Sequence, residues 1–219
     1  ITDYFFVTEQ SGIDNLLEEG KKAADIYFVG NTMIDALVAY DQVIAENTIM
    51  TKLDVTERAF ALVTIHRPSN VDNKSALEQN IHLLQNIAIK YPVVFPVHPR
   101  TKNKLEQFQL LSLLTSNPNI RICEPLDYFA FQKLIASCKF IVTDSGGIQE
   151  EATFRKKPCI TIRPNTERPS TITLGTNTLV EADISKINQL ITDIEKHNYK
   201  EGNIPPLWDG KATARIFQV

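Results

Sequence analysis

The chain has 219 residues, 43% of them hydrophobic and 22% charged, with a formal net charge of −3. That is globular composition, with length for one large domain or one and a half, and with no basic block to bind a nucleic-acid duplex. No apolar run approaches the ~18 residues that span a bilayer, and nothing at the start reads as a signal peptide.

The chain opens as ITDYFFVTEQ, without a Met and almost directly on a strand. That start predicts a piece of a longer protein. Tyr4–Val7 reads as a strand and Gln10–Glu19 as a helix, with Gly20 as its C′ residue. Ile26–Val29 is a strand and Met33–Ala45 a helix, followed by the polar break TKLDVTER. Then come Phe60–Ile65 (strand), Lys74–Lys90 (helix), Val93–Val97 (strand), Lys102–Leu114 (helix) and Ile120–Cys123 (strand). Asp127 caps a helix that runs to Ser137. Phe140–Thr143 is a strand, Gly147–Arg155 a helix and Cys159–Ile162 a strand. Thr178–Val180, the helix Ile184–Lys196 and a last helix in PPLWDGKATARIFQV complete the chain. This alternation predicts an α/β fold with a doubly wound, Rossmann-like parallel sheet. The best domain boundary lies near Gly30–Thr51.

The three cysteines, Cys123, Cys138 and Cys159, sit in or beside strand-like segments without metal spacing. They read as reduced core thiols of a cytosolic protein. No metal or redox cofactor is expected.

Ligands of open parallel sheets bind at the carboxyl ends of the strands. Those ends carry His66-Arg67, His98-Pro99-Arg100, Glu124 to Asp127, Asp144 to Gly147, and Arg163-Pro164-Asn165. Together they predict a polar, partly cationic cleft on one rim. At Asp144-Ser145-Gly146-Gly147 the chain leaves a strand and enters a helix at once. The paired glycines permit close backbone approach, and a helix N-terminus favours an anion. Glu151 follows one turn along, where its carboxylate suits the two hydroxyls of a ribose. Anion and diol together describe a nucleoside diphosphate. The plainer reading is that Glu150 and Glu151 only complement the helix dipole. Arg168, in TERPST, reads equally as a phosphate fork or as a surface ion pair with Glu167. His66 reads equally as structural or as catalytic. His98 is a weaker candidate of the same kind, and His82 and His197 read as structural or solvated.

Seven stretches carry a family resemblance: FVGNTMIDAL, VTIHRPSNVDN, FPVHPRT, EPLDYFAF, VTDSGGIQEEA, TERPST…GTNTLV and DGKATARI. In this order they resemble the non-hydrolysing UDP-N-acetylglucosamine 2-epimerases along nearly the whole chain. The resemblance implies the C-terminal half of a two-domain GT-B fold. Residues 1–30 would end the N-terminal Rossmann-like domain, 31–205 would form the UDP-binding domain and 206–219 a crossover helix. It also implies inversion at C2 of the sugar, through elimination of UDP to a glycal and re-addition. Ser145, Gly146 and Gly147 would then hold the diphosphate, Glu151 the ribose, and Arg168 the charge on departing UDP. Tyr128, Phe129 and Phe131 would line the uracil pocket. His66 would assist the leaving diphosphate, and Arg67 and His98 would belong to a second, regulatory nucleotide site. The acidic residues that handle the C2 proton would lie in the other half, so this chain alone should bind UDP weakly and turn nothing over. The full-length protein would be a cytoplasmic homodimer.

Two departures stand out. The family's His-Arg-Arg-Glu-Asn is here His66-Arg67-Pro68-Ser69-Asn70, and Ser170 replaces a common Glu. A glycosyltransferase of the same fold, an epimerase of a modified UDP-sugar and a non-catalytic UDP-sugar-binding module are the rival readings.

Overall fold

Strand and helix alternate from end to end in this computed structural model, which describes residues 2–181 and 183–219. A first unit comprises β1 (Phe5–Val7), α1 (Gln10–Glu18) and β2 (Ile26–Phe28). Short helices follow: α2 (Thr32–Ala39), α3 (Asp41–Glu46) and α4 (Ile49–Lys52). Next come β3 (Ala61–Thr64), α5 (Pro68–Val71), α6 (Lys74–Ala88), β4 (Val93–Pro96), α7 (Pro99–Gln107), α8 (Leu111–Thr115), β5 (Ile120–Cys123) and α9 (Tyr128–Ser137). The chain continues through β6 (Phe140–Thr143), α10 (Gly146–Phe154), β7 (Cys159–Ile162), α11 (Pro169–Thr173), β8 (Asn177–Val180), α12 (Ile184–Glu195) and α13 (Ala212–Ile216).

β1 and β2 form a parallel pair of their own. The other six strands form one parallel sheet in the order β5-β4-β3-β6-β7-β8. This is the doubly wound order, in which the winding reverses between β3 and β6. Strands β3, β4, β6 and β7 are buried throughout, because helices cover both faces. Alternate residues therefore enter different cores. Ala61, Val63, Phe140 and Val142 pack with α6 and α12, whereas Leu62 and Ile141 pack with α9 and α10.

Two of the expected helices are broken. Met33–Ala45 becomes α2 and α3, with Tyr40 between them outside helical geometry. Lys102–Leu114 becomes α7 and α8, divided where Gln109 adopts φ 59°. The first of these helices starts earlier than expected, because His98 caps it and Pro99 supplies a preset φ at its first position. Helices α4, α5 and α11 are single turns that periodicity did not reveal, two of them opened by Pro.

The C-terminal tail binds the first unit to the second. Trp208 Nε1 donates to Thr8 O at 2.9 Å, and Arg215 donates to Val29 O at 3.1 Å. Asp35, on α2, accepts from Ala212 N at 3.0 Å and from Thr213 N at 2.6 Å, satisfying the start of α13. Gly30 sits beneath this clasp with φ +90°, and a Cβ there would stand 2.1 Å from Leu207 O. Only glycine fits.

Candidate functional site

The reversal between β3 and β6 sets the site. Thr64 pairs with Thr143 across the two strands, and their hydroxyls lie 2.7 Å apart. Just beyond, one strand releases His66-Arg67 and the other Asp144-Ser145. The carboxylate of Asp144 is wholly buried. It accepts from His66 N (2.9 Å), Arg67 N (2.8 Å) and Asn70 Nδ2 (2.9 Å), and its Oδ1 lies 3.0 Å from His66 Nδ1. Burial alone would raise its pKa, but these donors outweigh burial and hold it below the ordinary aspartate value. The Asp144 carbonyl accepts from Arg67 Nε at 3.1 Å.

His98 stacks on His66, with ring centroids 5.1 Å apart. Its Nδ1 accepts from Arg100 N at 3.1 Å and so caps α7. Burial depresses the His98 pKa, and the neighbouring His66 and Arg100 depress it further against the pull of Asp144. His82 and His197 lie at the surface, away from this pair.

Ser145 is the N-cap of α10, and Gly146 and Gly147 form its first turn. A Cβ on Gly146 would meet only Glu167 Oε2, at 3.9 Å, whereas one on Gly147 would press on Met33 Cε at 3.1 Å. The bare first glycine thus leaves the helix N-terminus open, and the second admits α2 at its side. The first amides of the helix have no partners within it, which makes this an anion-binding geometry.

Arg168 does not pair with the Glu167 carboxylate. Glu167 is instead gripped by the buried Arg163 at 2.7 and 2.6 Å, and Arg67 stands 3.8 Å away. The Arg163 fork drives the Glu167 pKa down to about 2. Arg168 Nε lies 3.0 Å from Glu150 Oε1, at an angle that makes the contact ionic rather than a formed hydrogen bond. Asn31 Nδ2 donates to that same oxygen at 2.9 Å. Glu150 is therefore no exposed complement to the helix dipole: it is buried, and burial raises its pKa even though Arg168 pulls it back.

A buried amide and hydroxyl network sets the backbone of this loop. Gln149 Oε1 accepts from Thr166 Oγ1 (2.6 Å) and Asn177 Nδ2 (3.0 Å), while its Nε2 donates to Ser145 O (3.1 Å). Thr171 Oγ1 accepts from Asn177 and donates to Arg168 O at 2.7 Å. The start of α10 and the Arg168 loop are thereby one assembly.

Glu151 faces the other side of α10 and is only 7% exposed. Burial pushes its pKa up to about 7, with the Glu150 charge adding to the rise and Gln132 opposing it. The Tyr128 phenol is pushed up by burial and by the Glu151 charge, which places the two within electrostatic reach. Tyr128 is also the most exposed of the three aromatic candidates, at 39%. Phe129 packs on Tyr40 at 5.3 Å and joins the cluster of Ile34, Leu37, Ile44 and Trp208. Phe131 packs against the core beneath α9.

Sequence reasoning gave Asn31 no role, named Asp144 and Arg163 only as rim residues, and read Glu150 only as a complement to the helix dipole. Asp144 stood inside a recognised motif, but its partners are 74 to 78 positions away, so no local spacing could reveal them.

This is a Rossmann-like α/β fold with an open helix N-terminus at its switch point, the place where such folds receive nucleotides. The sequence profile of the UDP-N-acetylglucosamine 2-epimerase family matches residues 1–219. The chain belongs to that family. It is 37% identical over 226 residues to the UDP-N-acetylglucosamine 2-epimerase of Methanocaldococcus jannaschii, covering 100% of this chain and 61% of the relative. It is 35% identical over 222 residues to the UDP-2,3-diacetamido-2,3-dideoxy-D-glucuronate 2-epimerase of Pseudomonas aeruginosa, covering 100% of this chain and 59% of that one. The crystal structure of the M. jannaschii UDP-GlcNAc 2-epimerase with UDP-GlcNAc and UDP superimposes with a TM-score of 0.85 at 35% identity. That match covers 99% of this chain and 61% of the crystallised one. The chain therefore spans about three-fifths of the length of the relatives it matches.

Proposed function

We propose that the chain is the nucleotide-binding part of a UDP-N-acetylglucosamine 2-epimerase, interconverting UDP-N-acetylglucosamine and UDP-N-acetylmannosamine. The observation that carries this reading is helix α10 itself, which opens at Ser145–Gly147, holds Arg168 through Glu150 and carries Glu151 one turn along, within a chain of that family. The open amides and Arg168 bind the diphosphate, and Glu151 accepts from the ribose hydroxyls. Tyr128 offers the exposed ring for uracil, with Phe129 and Phe131 setting the helix behind it.

In the reaction, a base outside these residues takes the C2 proton. The electrons of that C–H bond form the C1–C2 double bond as the C1–O pair leaves on UDP. Charge grows on the diphosphate, and Arg168 stabilises it most in the transition state. His66 supplies a proton to the leaving oxygen and recovers it when UDP adds back to the glycal, while an acid outside these residues delivers a proton to the opposite face of C2. Arg67 and His98 serve a second nucleotide site beside the first. The complete enzyme is a cytoplasmic homodimer, and this chain alone binds UDP without turnover.

Calorimetric titration with UDP, repeated on Glu151→Ala, tests the reading. Saturable binding that the variant loses supports it; binding that the variant keeps moves the ribose clamp elsewhere. A second reading, an epimerase of a diacetamido uronic acid nucleotide, is favoured by the P. aeruginosa relative and by Pro68-Ser69 in place of Arg-Glu. Turnover of each UDP-sugar by the complete enzyme separates the two.

A further inference from the structure

We infer that Asp144 is a positioning residue, which fixes His66 with its Nε2–H directed away from the core as the proton donor to the departing diphosphate. This rests on the reading of His66 given above.

Three donors hold the Asp144 carboxylate before it meets the ring: His66 N, Arg67 N and Asn70 Nδ2, all within 2.9 Å. Asn70 is itself anchored, since its Nδ2 also reaches Ile162 O at 3.3 Å and its carbonyl accepts from Asn80 Nδ2 at 3.0 Å. The carboxylate cannot turn without stranding buried donors, each of which would lose its partner away from water. An ionised carboxylate only accepts hydrogen bonds. The nitrogen 3.0 Å from it, His66 Nδ1, must therefore carry a proton. The second nitrogen lies across the ring, on the side away from the buried carboxylate, and the His66 side chain is 35% exposed. The stacked His98 ring, held by its own bond from Arg100 N, stands against rotation of His66.

The buried Asp144 carboxylate is the group in direct contact with the His66 ring, and Arg67 Nε closes on the Asp144 carbonyl beside it. In the step itself, the Nε2 proton passes to the UDP oxygen as that oxygen takes the C1–O electron pair. His66 becomes neutral and keeps its Nδ1 proton, and no proton moves to Asp144. Re-addition reverses the transfer. Asp144 directly precedes Ser145, so the residue that orients the proton donor and the diphosphate grip hang from one strand end.

The test is imidazole ¹H–¹⁵N multiple-bond spectroscopy of the whole chain across pH, with His66 assigned by its loss in His66→Gln. Neutral His66 should be the Nδ1–H tautomer, and in a folded Asp144→Asn that preference should fall with the Nε2–H form becoming populated. An Nε2–H tautomer in the unmodified chain, or an unchanged tautomer ratio in a folded Asp144→Asn, overturns the inference. If Asp144→Asn does not fold, the tautomer of the unmodified chain decides alone. Added UDP tests the underlying reading separately: failure to shift the Ser145–Gly147 amides would count against nucleotide binding and leave the tautomer result standing.

Discussion

Asn31 Nδ2 donates to Glu150 Oε1 at 2.9 Å, in a buried bond that joins residues 119 positions apart. The same side chain accepts from Met33 N at 2.9 Å, so one amide caps α2 and steadies the carboxylate that holds Arg168. Asn31→Ala should cost about 1–2 kcal/mol through the lost cap alone. With Glu150→Gln it should show a coupling of about 0.5–3 kcal/mol in a double-mutant cycle by urea unfolding. Simple additivity would mean that the bond carries no stability.

Glu151 sets stability against binding. Its folded pKa of about 7 lies above the ordinary glutamate value, so the folded state holds the proton more tightly than the unfolded one. Stability is therefore lost as pH rises from about 4.5 to about 7, and the penalty is complete above that window. Glu151→Gln should remove the penalty and stabilise the chain at pH 8 by up to roughly 3 kcal/mol. At pH 4 the variant should gain nothing. Denaturant melts at the two pH values decide this.

Ribose hydroxyls donate to the ionised carboxylate and so favour it over the acid. UDP binding near neutrality should then release a proton from Glu151, and affinity should fall as pH drops below about 7. Calorimetry in buffers of different ionisation enthalpy measures the release, which should be absent in Glu151→Gln. Arg168→Ala should weaken UDP by about ten- to a hundredfold, the loss of a charge-assisted contact of ~1.5–3 kcal/mol.

In the complete enzyme, His66→Gln should reduce turnover by about 10²–10⁴, the usual worth of a placed acid or base. UDP affinity should move much less. Equal losses in kcat and in UDP affinity would make His66 a binding residue only.

Gly30→Ala should cost about 2–4 kcal/mol, because it combines a left-handed backbone with a clash on Leu207 O. The cheapest relief is release of the tail. Limited trypsinolysis should then cut after Lys211 or Arg215 faster than in the unmodified chain.

Much of this molecule was readable from pattern. The buried strands announce themselves as β-branched runs, and Asp127 caps α9 through Ala130 N at 3.0 Å, as its place before an apolar helix suggests. Gly20 takes φ +77° at the end of α1, the left-handed geometry expected of a C′ glycine. The breaks at Tyr40 and Gln109 were hidden because the hydrophobic period continues through both. In the site, Ser145 to Glu151 could be grouped because they share one helix. The pairings of Arg168 with Glu150 and of Arg163 with Glu167 could not be assigned. Charged neighbours in TERPST are equivalent in sequence, and only burial of Arg163 and Glu150 sorts them.

The pairing of Thr64 with Thr143 fixes more than the sheet register. Adjacent strands are separated by the hydrogen-bonding distance of about 4.8 Å, and a point substitution cannot stretch that spacing. Whatever emerges from these two strand ends keeps its mutual distance for as long as the fold survives. Tuning of this site by substitution is therefore left to side chains and to the loops that follow the strands, because the distance between the two strand ends is the one dimension that mutation of a single residue does not reach.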